Sequence, residues 1–269
     1  MIVDFHCHTL KSDGSLTPSE LSAAMRARGV SIFSITDHDT LDAYGNFDPP
    51  PNTTIVTGIE INTTYHDSEV HVLGFGLPLG ESALSEVLAK NRDERRIRVG
   101  KMVEQLQNAG YPITMELVEA QAQGGKALGR PHVGKALIAG GHVSDIQSAF
   151  RELLIRGKPG YVPAHHITPH RAIDLICAVG GIPVLAHPGR LKDYDLIDEF
   201  AAAGLRGLEV FYPTHERGQV QYFRDKAKRY NLVMSAGSDF HDIRYNKRGV
   251  GMDVEPADIA PFLKLLDCA

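Results

Sequence analysis

The sequence predicts an α/β protein built on a barrel. Three observations point there: short β-rich runs recur along the chain, most are separated by helical patterns, and nearly every run is followed or bordered by a metal-competent side chain. The runs are IVDF, SIFSI, TIVTGI, EVHVLGF, IPVLA, GLEVF and LVMSA, each ending in polar or turn residues. Alternation of this kind predicts a parallel sheet, and seven strands suit a barrel, with an open doubly wound sheet as the alternative.

The elements follow in order. After IVDF, the stretch LTPSELSAAMRARGV predicts a helix with Thr17 as N-cap, Pro18 in its first turn, Glu20 three residues after the cap and Gly29 as its stop. SIFSI, TIVTGI and EVHVLGF supply the next three strands. From about Glu81 to Gly160 the alternation breaks into helices with turns at NAGYP, GGKALGRP, AGGH and RGKPG. Residues 81–160 are therefore expected to form a helical insertion contributing substrate recognition, and residues 1–80 and 161–269 the barrel. IPVLA, GLEVF and LVMSA complete the strand set. No Walker loop or dinucleotide fingerprint occurs, since GFGLPLG has the wrong glycine spacing.

Composition is that of an ordinary globular chain, with 269 residues, 43% hydrophobic and 23% charged. No apolar stretch is long enough to span a membrane. Candidate functional residues begin at Asp4 or His6, leaving no room for a leader peptide, so a cytoplasmic location is expected. Cys7, Cys177 and Cys268 form no disulfide framework or metal knuckle and read as packing residues. A net charge of −5 argues against bulk binding of long nucleic acid. The charge is uneven: from Lys90 to Lys158, 12 basic residues accompany 7 acidic ones, so that stretch is basic and the remainder of the chain carries −10. An anionic substrate could meet that basic middle, although NRDERRIR, where acids and bases alternate, reads as a solvated helix face.

The strand ends carry the chemistry. His6 and His8 project to one face because strand side chains alternate, and Asp13 follows in the loop. TDHD ends the second run, Glu60 the third, His71 lies in the fourth, His187 ends the fifth, and GSDFH with Asp239 and His241 follows the seventh. A lone strand-end histidine is usually a surface or hydrogen-bonded residue, and SDG or TDHD alone could be turn chemistry. The joint pattern is what favours a metal site, because in β/α barrels active sites assemble at the C-terminal strand ends. His6, His8, Asp13, His38, Glu60, His71, His187, Asp239 and His241 offer nitrogen and oxygen donors without thiolate, a set suited to zinc, manganese or iron. Nine donors exceed the needs of one ion and match two or three ions bridged by Glu60. Such ions acidify a bound water and clamp phosphoryl oxygens. Asp4 is expected to orient a ligand from behind, Glu209 to be a supporting partner, and His165, His166 and His170 to be a polar loop and helix start.

DFHCHT with SDG, then ITDHDT, GIEI, His71, LAHPGR and GSDFH resemble, in order, the motifs of the PHP family, named for polymerase and histidinol phosphatase. The resemblance implies a distorted (β/α)7 PHP barrel with a helical insertion domain. It implies that His6, His8, Glu60 and Asp239 hold one metal, Glu60, His71 and His187 a second, and Asp13, His38 and His241 a third, with manganese favoured. GRPHVGKAL and LLIRGKPGYVP are similar to the insertion of family members acting on nucleotides: nucleoside 3′,5′-bisphosphate phosphatases, which leave a 5′-nucleotide, and 5′-3′ exoribonucleases on short RNA. Arg130, His132, Lys158 and Arg190 are then the candidates for phosphate recognition, because arginine grips phosphate with a fork and lysine adds a point charge. Tyr161 could stack a base, with packing preferred, and FYPTHERGQ matches no substrate rule. The expected partner is a small phosphorylated substrate, a nucleotide or a short RNA 5′ end, with no membrane and no protein partner implied. The alternatives are a histidinol-phosphate-type phosphatase, a non-catalytic metal-binding module, and an amidohydrolase, whose usual bridging lysine has no counterpart at a strand end here.

Overall fold

In the computed structural model, which describes residues 1–45, 47 and 53–268, all seven expected runs form strands: β1 (Ile2–Asp4), β2 (Ile32–Ile35), β3 (Thr54–Tyr65), β4 (Ser68–Phe75), β5 (Ile182–Leu185), β6 (Gly207–Phe211) and β7 (Val233–Ala236). A short β8 (Met252–Asp253), which the sequence pattern does not announce, pairs antiparallel with β1. The sheet order is β7-β6-β5-β4-β3-β2-β1-β8. Beyond β1, the Phe5 N–H donates to the Ala236 carbonyl and the His8 N–H to the Phe240 carbonyl, each at 2.8 Å. These bonds bring the β7 end of the sheet against the continuation of β1 and round it into a barrel.

Among the seven expected strands the sheet is parallel in part, as the alternation predicts, and reversed at one strand. β4 runs antiparallel to both β3 and β5. The cause is local: His66 and Asp67, at φ 45° and 55°, form a two-residue turn with the left-handed backbone that tight hairpins require. The reversal carries the first half of β4 to the rim where Glu60 and Asn62 of β3 lie, and His71 pairs with Asn62.

Flanking helices form where the caps predict. In α1 (Pro18–Arg28) the Thr17 hydroxyl accepts from the Glu20 N–H at 3.2 Å, the Glu20 carboxylate accepts from the Thr17 N–H at 2.8 Å, and Gly29 ends the helix at φ 81°. The middle of the chain forms α2 (Ala83–Asn108), α3 (Met115–Gln121), α4 (Arg130–Ala139) and α5 (Ile146–Ala149), the last running into a wide turn over Phe150–Leu154. Their apolar faces meet in their own core, with Met102, Leu106, Val133, Leu137 and Leu154 buried. The barrel core is separate and includes Phe5, Phe75 and Phe262, whose rings meet edge-on at centroid distances of 5.0–6.1 Å. The remaining helices described are α6 (Pro169–Ala178), α7 (Leu196–Ala202), α8 (Arg217–Arg229) and α9 (Pro256–Leu265), the last of which supplies Phe262. No described helix is long and apolar enough to cross a membrane.

Candidate metal centre

The barrel brings nine donor side chains to one rim. Glu60 sits at their centre. One carboxylate oxygen lies 3.2 Å from His6 Nε2, 3.2 Å from His8 Nε2 and 3.1 Å from His38 Nδ1. The other lies 2.7 Å from His71 Nδ1 and 3.1 Å from His187 Nε2. Asp239 Oδ1 approaches His6, His8 and His241 at 3.4, 3.3 and 3.5 Å. Asp13 faces His241 Nε2 at 3.3 Å and both His8 and His38 at 3.7 Å.

Three subsets place their ligand atoms within 4.8 Å of one another: His6, His8, Glu60 and Asp239; His8, Asp13, His38 and His241; and His38, Glu60 and His71. The buried nitrogens decide whether divalent ions fit. His6 Nε2 and His8 Nε2 are buried, face carboxylates, and have no hydrogen-bond partner among the described residues. An inward-facing imidazole nitrogen left without a partner is costly unless something accepts its lone pair. The residues fit such ions.

Charge within the cluster is tightly coupled. Burial alone would depress His8, but Asp239 and Glu60 outweigh it and raise it to about 10. Burial opposes the charge on Glu60, Asp239 and Asp13, yet the surrounding histidines hold all three well below the carboxylate range. Carboxylates kept ionised and imidazoles that must give up a proton are a donor set that trades protons for cations.

Backbone and buried partners fix these donors. Glu209 accepts from His6 Nδ1 at 2.9 Å and from the His187 backbone N–H at 2.7 Å, the supporting place expected for it. Asp4 orients backbone rather than an imidazole: its carboxylate accepts the Ser238 N–H and hydroxyl at 2.9 and 2.7 Å, and the Gly251 N–H at 2.8 Å, holding the GSDFH segment beside His6. Gly237 in that segment is required, since a Cβ there would lie 2.2 Å from His6 Cβ. Asp239 and His187 adopt left-handed backbone, φ 50° and 26°, conformations that cost energy and gather at functional sites. Asp37, to which the sequence pattern assigns no role, accepts from Thr9 and Ser12 at 2.5–2.8 Å and pins the loop that presents Asp13. Asn62, equally unforeseen, lies 3.0 Å from His38 Nδ1.

Above the donors is a cavity of about 170 Å³ walled by Arg95, Arg98, Arg130 and Arg190, with Glu69 and Phe150. Of the four expected phosphate contacts, Arg130 and Arg190 line it. His132 does not: it is buried, accepts from the Gly129 N–H at 3.1 Å and reaches the Ser12 carbonyl at 3.1 Å, tying the insertion to the Asp13 loop. Burial keeps it neutral, pushed down to about 4, so it brings no charge to an anion. Lys158 is exposed and lines neither this cavity nor the larger basin beside it. The solvated-face reading of NRDERRIR is half corrected, because Asn91 and Arg95 are buried and Arg98 faces the cavity while Asp93, Glu94 and Arg96 are exposed.

FYPTHERGQ, which follows no sequence rule, braces the neighbouring turn. The Tyr212 hydroxyl donates to Asp239 at 2.7 Å, the Arg190 guanidinium lies 5.3 Å from the Tyr212 ring, and His215 Nε2 accepts from the Gly189 N–H at 3.1 Å. His165, His166 and His170 stay outside the cluster. His170 instead meets Glu199 at 3.1 Å.

A β/α barrel with clustered nitrogen and oxygen donors at one rim, under a guanidinium-lined cavity, defines a metal-dependent phosphoesterase. Known proteins of similar sequence and fold agree. No protein-family model matches the chain. It is 32% identical over 260 residues to a 3′,5′-nucleoside bisphosphate phosphatase of Chromobacterium violaceum, covering 93% of this chain and 90% of that protein. It is 34% identical over 253 residues to the 5′-3′ exoribonuclease Rnm of Escherichia coli, covering 90% and 85%. Among solved structures, a Bifidobacterium adolescentis protein described as a metal-dependent phosphoesterase superposes with TM-score 0.81 at 32% identity, over 89% of this chain and 87% of that one. A Chromobacterium violaceum protein described as an amidohydrolase superposes with TM-score 0.89 at 30% identity, over 99% and 96%. The chain belongs to the PHP family of metal-dependent phosphoesterases, in the branch of the bisphosphate phosphatases and 5′-3′ exoribonucleases.

Proposed function

We propose that this enzyme removes the 3′-phosphate of nucleoside 3′,5′-bisphosphates to give 5′-nucleotides, and that it hydrolyses short 5′-phosphorylated RNA from its 5′ end by the same chemistry. The observation that carries the reading is the small cavity itself, with clustered metal donors at its base and four guanidinium groups along its walls. Such walls suit a compact polyanion and would waste desolvation energy on a neutral substrate. Relatives named for both activities align along nine tenths of this chain.

In this reading His6, His8, Asp13, His38, Glu60, His71, His187, Asp239 and His241 hold two or three divalent ions, manganese by family resemblance. Bound there, the ions would supply an acidified water and neutralise charge on the phosphoryl oxygens. The remaining work belongs to side chains. Arg190, held by Tyr212 and Asp239, would grip the reacting phosphoryl group, and Arg130 would meet substrate phosphate from the insertion side. Glu209 would keep the His6 ring in its ligating orientation and hold the backbone that presents His187.

A specific observation favours RNA ends as well. The cavity adjoins a basin of about 510 Å³ through shared walls at Glu69, Arg130 and Arg190, and Tyr65 and Tyr161 line that basin. There is room beside the cluster for a base, and for chain beyond the first nucleotide. The amidohydrolase alternative is disfavoured, because no lysine lines the cavity among the described residues.

The test is phosphate release by manganese-loaded protein from adenosine 3′,5′-bisphosphate, beside AMP, histidinol phosphate and a short 5′-phosphorylated RNA. Preferential release from the bisphosphate, with 5′-nucleotide from the RNA, supports the reading. Equal or better turnover of histidinol phosphate would replace it with the histidinol-phosphatase alternative.

A further inference from the structure

The nine donors do not share one means of support. His6, His8, Glu60 and Asp239 are fixed within the barrel: Glu209 of β6 takes the His6 ring, and Asp4 at the end of β1 takes the segment that carries Asp239. Asp13 and His38 stand instead on the loops that follow β1 and β2, and both loops are fastened by the inserted helices.

The Asp13 loop is held from two sides. Asp37 grips it from the barrel through Thr9 and Ser12. From α4, the His132 ring, with Nδ1 accepting from the Gly129 N–H, donates through Nε2 to the Ser12 carbonyl at 3.1 Å, and the Lys135 ammonium donates to the carbonyl of Asp13 itself at 3.2 Å. His132 and Lys135 are three residues apart, so one face of α4 lies along the loop. Just ahead of α4, Gly125 sits so close that a Cβ there would stand 2.5 Å from the Leu10 carbonyl oxygen. The same loop carries the strain to His241, whose carbonyl accepts from the Ser15 N–H and hydroxyl at 2.8 and 2.9 Å.

The His38 loop is held through the next residue. Asp39 is fully buried in left-handed backbone at φ 51°, a conformation that persists where its surroundings over-determine it. Those surroundings are α2 and β3. Asn91 Nδ2 donates to one carboxylate oxygen at 3.0 Å, Asn62 Nδ2 to the other at 2.9 Å, and Arg92 to the Asp39 carbonyl at 2.7 Å. Buried acceptors that take their donors from α2 and α4 would be left short if the helices withdrew.

Resting on the metal reading above, we infer that α2 and α4 assemble the site of one ion, that of Asp13, His38 and His241, and that Asn91, Arg92, His132 and Lys135 are positioning residues for it. The ions of the barrel-supported donors bind without this help. The segment that brings the cavity most of its arginines therefore also completes the metal centre beneath it.

Calorimetric titration of metal-free protein with manganese tests this in the wild type, Lys135→Met and Lys135→Arg. The wild type should bind three ions. Lys135→Met, which keeps the stem and loses the donor to Asp13, should bind two as the wild type does and the last about 10-fold more weakly, the order of loss seen when a group that orients a ligand is removed. Lys135→Arg, which keeps a charged donor, should recover part of that loss. Phosphate release from adenosine 3′,5′-bisphosphate by Lys135→Met should need about 10-fold more manganese to reach half its maximum. Asn91→Ala should show the same selective loss through the His38 loop, and it decides the matter if Lys135→Met does not fold. A last ion bound as tightly as in the wild type, or all ions weakened together, overturns the inference and leaves the metal centre intact. A wild type that saturates at two ions leaves no ion for the helices to complete and overturns it equally, whereas a wild type that takes up fewer than two overturns the metal reading beneath it.

Discussion

The barrel rim and the insertion wall face one another across a single cavity, yet they are built on opposite principles. The rim donors are short side chains at or near strand ends, most of them buried, and locked from behind by Glu209, Asp4 and Asp37. The wall is made mostly of long guanidinium side chains, Arg95, Arg98 and Arg130, on helices with a separate core, joined by Arg190 from the barrel. Metal-dependent chemistry needs donors held within fractions of an ångström, which strands and buried hydrogen bonds provide. Recognition of a flexible polyanion tolerates reach and adjustment, which arginines on an inserted element provide. If the wall recognises the substrate as proposed, the difference means that substrate preference can change there without disturbing the rim.

Substitutions on the two sides can break that comparison. The largest effect is expected at the rim: Asp239→Ala or His38→Ala should lower phosphate release by roughly 10³-fold or more with the far-ultraviolet circular dichroism spectrum unchanged. Retained turnover in either would remove the cluster from the chemistry. Behind the rim, Glu209→Gln should weaken metal binding by about 10- to 100-fold in calorimetric titration, since it disturbs the hold on the His6 ring and on the His187 backbone. On the wall, Arg130→Ala should cut kcat/KM for the bisphosphate by about 10-fold with the metal content unchanged, and a lost metal would mean that wall and rim are not separable. Lys158→Ala should change kinetics by less than about twofold, as expected of an exposed residue away from the cavity.

Protonation sharpens the same contrast. His8 titrates near 10 in the metal-free fold against about 6.5 for an unperturbed imidazole. A raised value means that its contribution to folding is complete below about pH 6.5 and is lost as the pH rises through about 10. Thermal unfolding of metal-free protein should therefore show a declining Tm across that window. Adding manganese should flatten the decline, because the ion replaces the proton. A decline of equal size with and without metal would mean that His8 is not a ligand.

The rim was legible in the sequence and much of the wall was not, for a physical reason. Strand alternation and strand-end position tie His6, His8, Glu60 and Asp239 to one place, so the order of residues along the chain already implies their geometry. Helical arginines carry no such constraint: Arg95 and Arg98 sit in NRDERRIR among charges that are solvated, and only the packing of α2 over the barrel separates the inward from the outward ones. His132 misled because GRPH places a histidine beside a true cavity residue, while the turn of the helix sends its ring inward to Ser12. The reversed β4 was hidden because HD between two β runs is a weak turn signal, although the alternation Ser-Glu-Val-His-Val could have paired Glu69 with His71 on one face. Tyr212 had no signal beyond its position after β6; its role exists only through the fold that sets it on Asp239.

The most direct test of a polynuclear centre driving phosphoester hydrolysis is to strip the protein with a chelator, return manganese in measured equivalents, and record bound metal and phosphate release from adenosine 3′,5′-bisphosphate at each step. Release should be absent from the stripped protein and should rise to its plateau only as the second or third equivalent binds. Turnover by metal-free protein, or a fully loaded protein that releases no phosphate, would contradict the account.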